Sequence, residues 1–153
     1  MLDLDAFRRV VRDAPLVAID LLVSDGAGHF LLGLRRNRPA AGYWFVPGGR
    51  IYKNEALDAA FTRIARAELG LAVPRRQATP MGVYEHDYPD SFADAAISTH
   101  YVVLPFRLTL ARAVLAPQAG RDQHLQLEWM SRATLLARPD VHAHTRAYFV
   151  SAS

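Results

Sequence analysis

The stretch from Gly48 to Leu71 constrains the fold of this chain more than any other, because it sets a tight glycine turn and a bracketed helix at one fixed spacing. Gly48 and Gly49 allow backbone to approach a neighbour or a ligand closely. Asn54 has N-cap chemistry, and Gly70 suits the left-handed residue that ends a helix, so a helix is predicted between them. Leu57, Ala60, Phe61 and Ile64 recur at helical spacing and make one apolar stripe. Glu68 falls four residues beyond Ile64 on nearly the same stripe, where an acid needs a reason. It either marks the exposed end of the stripe or binds a cation, and the glycine turn at matching distance favours the cation. Glu55 and Arg63 lie eight residues apart, about 12 Å along a regular helix. They would not meet unless the helix start bends back, so Glu55 reads as a loop-fixing residue.

The rest of the chain organises around that unit. Residues 3–13 read as a short amphipathic helix with Leu4, Phe7, Val10 and Val11 on one side, stopped by Pro15. Leu16 to Ser24 and His29 to Leu34 are apolar runs of strand formers joined by Asp25-Gly26-Ala27-Gly28, which predicts a hairpin. Trp44-Phe45-Val46 is a brief strand. Met81 to Tyr88, Ala96 to Leu110 and Leu125 to Met130 read as further strands, and short helices near 131–137 and 140–150 close the chain. Hairpins, one central helix and terminal helices predict an α+β fold, a sandwich with a mixed β-sheet.

Composition limits the function classes. A chain of 153 residues fits one domain spanning 1–153. No cysteine means no disulfide framework, which suits a reducing, cytoplasmic setting. The first eleven residues mix two acids and two arginines with apolar residues, unlike a signal peptide or a membrane span. Lys53 is the only lysine, so the net charge of +3 is carried by arginine, which clamps phosphates in bidentate fashion. Without a basic run or an aromatic-basic stripe, nucleic acid is not an expected partner.

Several residues then stand out. Asp20 interrupts an apolar strand, and a carboxylate there needs a partner: an arginine or a substrate. His86 lies in a strand pattern and either bonds a neighbouring backbone group or serves a site. Tyr101 is a core aromatic with a hydroxyl that reaches out, or a phosphate contact. Arg36 and Arg38 read as loop charges. His142 and His144, two apart on an expected helix, would point from different faces and so read as surface or subunit contacts together with Arg146.

The glycine turn with Arg50, Glu55, Arg63 and Glu68 resembles the box of the Nudix hydrolases. With Gly42 to Arg50, Thr99 to Leu104, Gln123-His124 and Val141-His142-Ala143 added, the chain is similar to the GDP-mannose mannosyl hydrolases, a branch of that family with a degenerate box. In the full box, carboxylates stand at positions 64, 67 and 68, which share one helical face. Here Ile64 and Ala67 replace two of them, leaving about one negative charge where about three would hold several hard cations. The resemblance implies a Nudix fold, an α/β/α sandwich. It implies cleavage of GDP-mannose, or GDP-glucose, to GDP and free sugar by water attack at the anomeric carbon. It further implies one Mg2+ per subunit on Gly49, Glu68 and Gln123, with His124 as general base and Arg35 at the leaving group. Asp20, Arg50, Arg63, His86 and Tyr101 would support substrate or metal, and the relatives imply a homodimer. Two alternatives stay open: ordinary attack on phosphorus of a nucleotide or nucleotide sugar, and a non-catalytic nucleotide-sugar sensor. The segments 89–96 and 111–119 differ from the relatives and put fine substrate selectivity in question.

Overall fold

Residues 2–115 and 124–150 are described in the computed structural model, residues 124 and 125 by their backbone alone. An N-terminal helix, α1 (Leu4–Asp13), begins where Asp3 Oδ1 accepts the N–H of Ala6 at 2.8 Å, a side-chain cap on an otherwise orphan donor.

Alternation along the first long strand divides the molecule. β1 (Leu16–Ser24) sends Ile19, Leu21 and Val23 into one apolar cluster, while Ala18, Asp20 and Leu22 face the other side. β2 (His29–Arg35) follows the glycine turn, but the expected hairpin is splayed open. β1 and β2 pair only at Ser24 and Phe30. Below the turn the gap is filled by the next segment, with β3 (Trp44–Phe45) on β2 and β4 (Gly48–Arg50) on β1. Gly48 is what permits this insertion, since a Cβ there would collide with the Ile19 carbonyl and the Asp20 side chain.

Of the strand expected over 81–88 only β6 (Tyr84–Tyr88) forms, because Gly82 takes φ +89° and breaks the run, and a short β5 (Thr79–Pro80) precedes it. Both pair antiparallel with β7 (Thr99–Thr109), whose other edge runs parallel to β1 along all nine of its residues. β8 (His124–Ser131) lies antiparallel to β2. The sheet is therefore mixed.

α2 (Leu57–Leu69) covers one face and buries Phe61, Ile64 and Leu69 against Ile19, Leu21, Phe106 and Leu108. Full burial of a side chain like Phe61 is worth about 1.5–3 kcal/mol. Gly70, at φ 72°, ends the helix as expected. Its start departs from expectation: Ala56 is the N-cap, without a side-chain bond, and Asn54 sits two residues earlier with φ 65°. α3 (Arg132–Ala137) and α4 (Ala143–Val150) cover the opposite face, where Leu135, Tyr148 and Phe149 pack on Leu22, Phe30, Leu32 and Met130. The result is the expected α/β/α sandwich of the α+β class. No helix among the described residues is long and apolar enough to cross a membrane.

Candidate active site

The splayed hairpin leaves a cavity of about 500 Å³ at its open end. Asp20 comes to it from β1, Arg35 from the end of β2, Gly48, Gly49 and Arg50 from β4, and Arg63 from α2. His86 and Tyr88, two apart on β6, enter side by side, and Tyr101 enters from β7. Leu4 and Phe7 of α1 and Phe92 of the 89–98 loop line it as well. Seven residues singled out in the sequence, Asp20, Arg35, Gly49, Arg50, Arg63, His86 and Tyr101, thus meet in one place. Glu68 is not among the lining residues. Gln123 and the side chain of His124 lie outside the described residues; the backbone of His124 stands opposite Arg35, where the β2–β8 register shifts.

Asp20 faces the cavity, and of its two open readings the arginine pairing is not made among the described residues. Its Oδ2 accepts the hydroxyl proton of Tyr148 at 2.6 Å. Burial pushes its pKa up to about 6, the Tyr148 bond and the charge of Arg35 pull the other way, and the nearby Glu68 carboxylate adds to the rise. Arg35 lies over the Phe45 ring at 5.5 Å. The Arg50 guanidinium packs on Phe7 at 4.4 Å and on Tyr52 at 5.3 Å. Among the described residues neither Arg35 nor Arg50 forms a salt bridge with a carboxylate. Arg35 Nε donates to the Asn37 carbonyl at 3.5 Å, and the remaining N–H groups of these two guanidiniums, seated on ring faces inside a cavity, form planar forks that suit phosphate oxygens.

Arg63 is arranged differently. Its Nε donates to Glu55 Oε2 at 2.7 Å, and its Nη2 donates to Glu55 Oε1 at 2.9 Å and to the Arg50 carbonyl at 2.8 Å. This pairing corrects the expectation that Glu55 and Arg63 stay apart. The helix starts at Leu57, so Glu55 belongs to the preceding loop, where its Oε1 also accepts the Tyr52 N–H at 3.1 Å. Arg63 thereby staples the end of β4, where Arg50 lies, to the loop that follows it.

The three box positions on α2 have separate fates. Ile64 is 1% exposed and packs beneath the glycine turn, such that a Cβ on Gly49 would come within 3.0 Å of it. Ala67 is exposed. Glu68 is 3% exposed, so it is not the solvent end of the stripe. Among the described residues no three His, Asp or Glu side chains gather to hold a metal ion. One buried carboxylate among the three box positions, with Asp20 engaged by Tyr148, fits a single hard cation shared with substrate oxygens and does not fit a multi-metal cage.

Behind His86 the structure corrects a second expectation. His142 precedes α4 instead of lying in it, so His142 and His144 do not diverge; their rings are 4.7 Å apart. His144 stacks on His86 at 4.4 Å with planes 7° apart, and His142 stacks on Phe45 at 4.8 Å. Burial, with repulsion from His144, lowers His86 and His142 to about 4, so both are neutral near pH 7. Sequence reasoning missed Tyr148, Tyr88, Phe7 and Tyr52. Tyr88 was within reach, since a strand places it on the face of His86; Tyr148 carries no local signal.

A layered domain with a mixed sheet, whose cavity gathers guanidiniums and a glycine turn, is the class these features define. The chain belongs to the NUDIX family, whose domain pattern matches residues 14–151, and with it to the Nudix hydrolase superfamily. It is similar to the low-salt glycan biosynthesis protein Agl8 of Haloferax volcanii, 42% identical over 106 residues. That match covers 69% of this chain and 66% of that protein, just under two thirds of the relative's length. Among solved structures, the MutT NUDIX hydrolase of Burkholderia pseudomallei is 26% identical with a TM-score of 0.69, covering 91% of this chain and 100% of that one. The NUDIX domain of Shewanella oneidensis NrtR, solved with ADP ribose, shares the fold at a TM-score of 0.66 and 17% identity, over 96% of this chain and 94% of that one.

Proposed function

We propose that this Nudix hydrolase cleaves GDP-mannose, and the related GDP-glucose, to GDP and free hexose by water attack at the anomeric carbon. The observation that carries the reading is the fate of the box acids. With Ile64 in the core and Ala67 bare, the three box positions offer one carboxylate, too little for the several cations that assist attack on phosphorus. The chain instead presents Arg35 and Arg50 at the cavity, suited to the negative charge that builds on a departing diphosphate.

The Gly49 carbonyl, Glu68 and Gln123 are the groups that would hold one magnesium, which supplies charge neutralisation on the diphosphate when bound. Arg35 and Arg50 orient the diphosphate, and Arg63 holds the Arg50 end of β4 in place. The water oxygen forms a bond to the anomeric carbon as the bond to the phosphate oxygen breaks. The bonding pair leaves with GDP, and the water proton passes to the His124 imidazole. Attack from the face opposite the leaving group inverts the carbon, through a state with oxocarbenium character. Asp20 and His86, which also line the cavity, would accept hexose hydroxyls. Further support comes from the 42% identity to a protein named for glycan biosynthesis, a setting that uses nucleotide sugars.

Hydrolysis in oxygen-18 water tests the reading. Label in the free sugar, with GDP unlabelled, is the expected result. Label in a nucleotide product, or recovery of hexose 1-phosphate with GMP, means attack on phosphorus and overturns it, and absence of turnover across a panel of nucleotide sugars with magnesium leaves the sensor reading in its place.

A further inference from the structure

The C-terminal helix reaches the cavity through a single hydroxyl. Tyr148 lies on α4, is buried and is not among the cavity-lining residues. Its ring is wedged edge-on against Tyr84 at 4.8 Å, which fixes where its oxygen points. That oxygen lies 2.6 Å from Asp20 Oδ2 and 3.4 Å from His86 Nε2. A phenol has one proton, and the shorter contact, to a carboxylate acceptor, takes it. The other carboxylate oxygen, Oδ1, lies against Gly48 at the glycine turn.

We propose that Tyr148 is a positioning residue of the active site, engaging Asp20 Oδ2 from the interior so that Oδ1 is held toward the glycine turn as an acceptor for a substrate hydroxyl. The assignment rests on the hexose-binding reading of Asp20 given above, and adds the group that aims it. Without the phenol, the carboxylate would be free to turn about its terminal torsion, which is broad and roughly two-fold for aspartate. The same hydroxyl lies beside His86, whose ring is clamped by the stack on His144. Two hydroxyl-accepting candidates from different strands, Asp20 on β1 and His86 on β6, are therefore tied to one point on a helix more than 60 residues further along the chain.

A double-mutant cycle with Tyr148→Phe and Asp20→Asn tests this. Phe keeps the ring and its packing and removes one hydroxyl, and thermal unfolding checks that the fold is retained. The expected result is a loss of about tenfold or more in kcat/KM for Tyr148→Phe in the parent, the range for a hydrogen bond to a charged group, and less than twofold in the Asp20→Asn background. Tyr84→Phe, which removes a hydroxyl that does not reach Asp20, should change kcat/KM less than twofold. Equal losses for Tyr148→Phe in both backgrounds, no loss in either, or an equal loss from Tyr84→Phe overturns the proposal. The cycle is run on whichever nucleotide sugar the parent cleaves, so an unexpected product defeats the proposed function without deciding this assignment. For a parent without turnover, calorimetric binding of GDP-mannose with magnesium reads the same coupling, and absence of coupling or of binding overturns it.

Discussion

The two faces of the sheet are built from the same apolar alternation, yet they have been put to different uses. On the α2 face, Ile19, Leu21, Phe61, Ile64 and Leu69 form a dry cluster that admits one carboxylate, Glu68. On the α4 face, the cluster around Leu22, Phe30 and Met130 adjoins Asp20, Tyr148, His86, His142 and His144. A diphosphate-handling helix with a full set of acids would concentrate charge on the first face. Here the first face is mostly core, with Glu68 its buried carboxylate, while Asp20 and the stacked histidines stand on the second.

Four experiments break or sharpen this contrast. The largest effect is expected from His124→Leu, which should lower kcat roughly 10²- to 10⁴-fold with little change in KM, measured by steady-state kinetics; a change under threefold means that the water is not primed by this imidazole. Next comes Ile64→Glu, which restores an acid where the fold has placed a core residue. Burying that charge beneath Gly49 should destabilise the protein by about 3 kcal/mol or more, read by denaturant unfolding; a stable variant with increased metal binding would mean that the α2 face can still be a metal face.

Asp20→Asn follows, and it reverses sign between stability and activity. A carboxyl raised to about 6 from an unfolded value of 3.8 contributes stability below the unfolded value, and that contribution is lost as pH rises through 6. The neutral amide should therefore stabilise the protein by up to about 3 kcal/mol at pH 8 and scarcely at all at pH 3.5. Thermal midpoints at the two pH values check it, and a variant less stable than the parent at pH 8 would place Asp20 among the structural groups. Smallest is Ala67→Glu: the position is exposed, so stability should move by less than about 0.5 kcal/mol, and magnesium stoichiometry by calorimetry should stay at one per chain. A second bound ion would show that only one substitution separates this site from a multi-metal one.

What was legible in the sequence was whatever depends on neighbours in the chain. The Gly70 stop, the apolar stripe on α2 and the apolar run that Asp20 interrupts are local signals, and each marks a real element. The misplaced start of α2 shows the limit of such signals. Asn54 has cap chemistry, but the left-handed turn it adopts lets Glu55 fold back onto Arg63, and that ion pair is a tertiary choice. The same limit hid the histidine stack, because whether His142 and His144 diverge depends on where α4 begins. Tyr148 could not have been found at all, since it lies 128 residues from Asp20 and its ring reads as one more core aromatic. The cavity residues that sequence did pick out came largely through resemblance, as their types alone left structural and functional readings level.

The open hairpin has a consequence for how this scaffold can change. Because β1 and β2 are each anchored to a different long neighbour, the width of the cleft between them is a property of the hydrogen-bonded chassis. Its rim, by contrast, is made of α1 and the 36–43 and 89–98 connections, joined by Arg8 to Asp94 at 2.7 Å and Arg38 to the Ser91 carbonyl at 3.2 Å. A lineage can exchange that rim and so retune which ligand is admitted, while the gauge of the slot beneath it stays as it is.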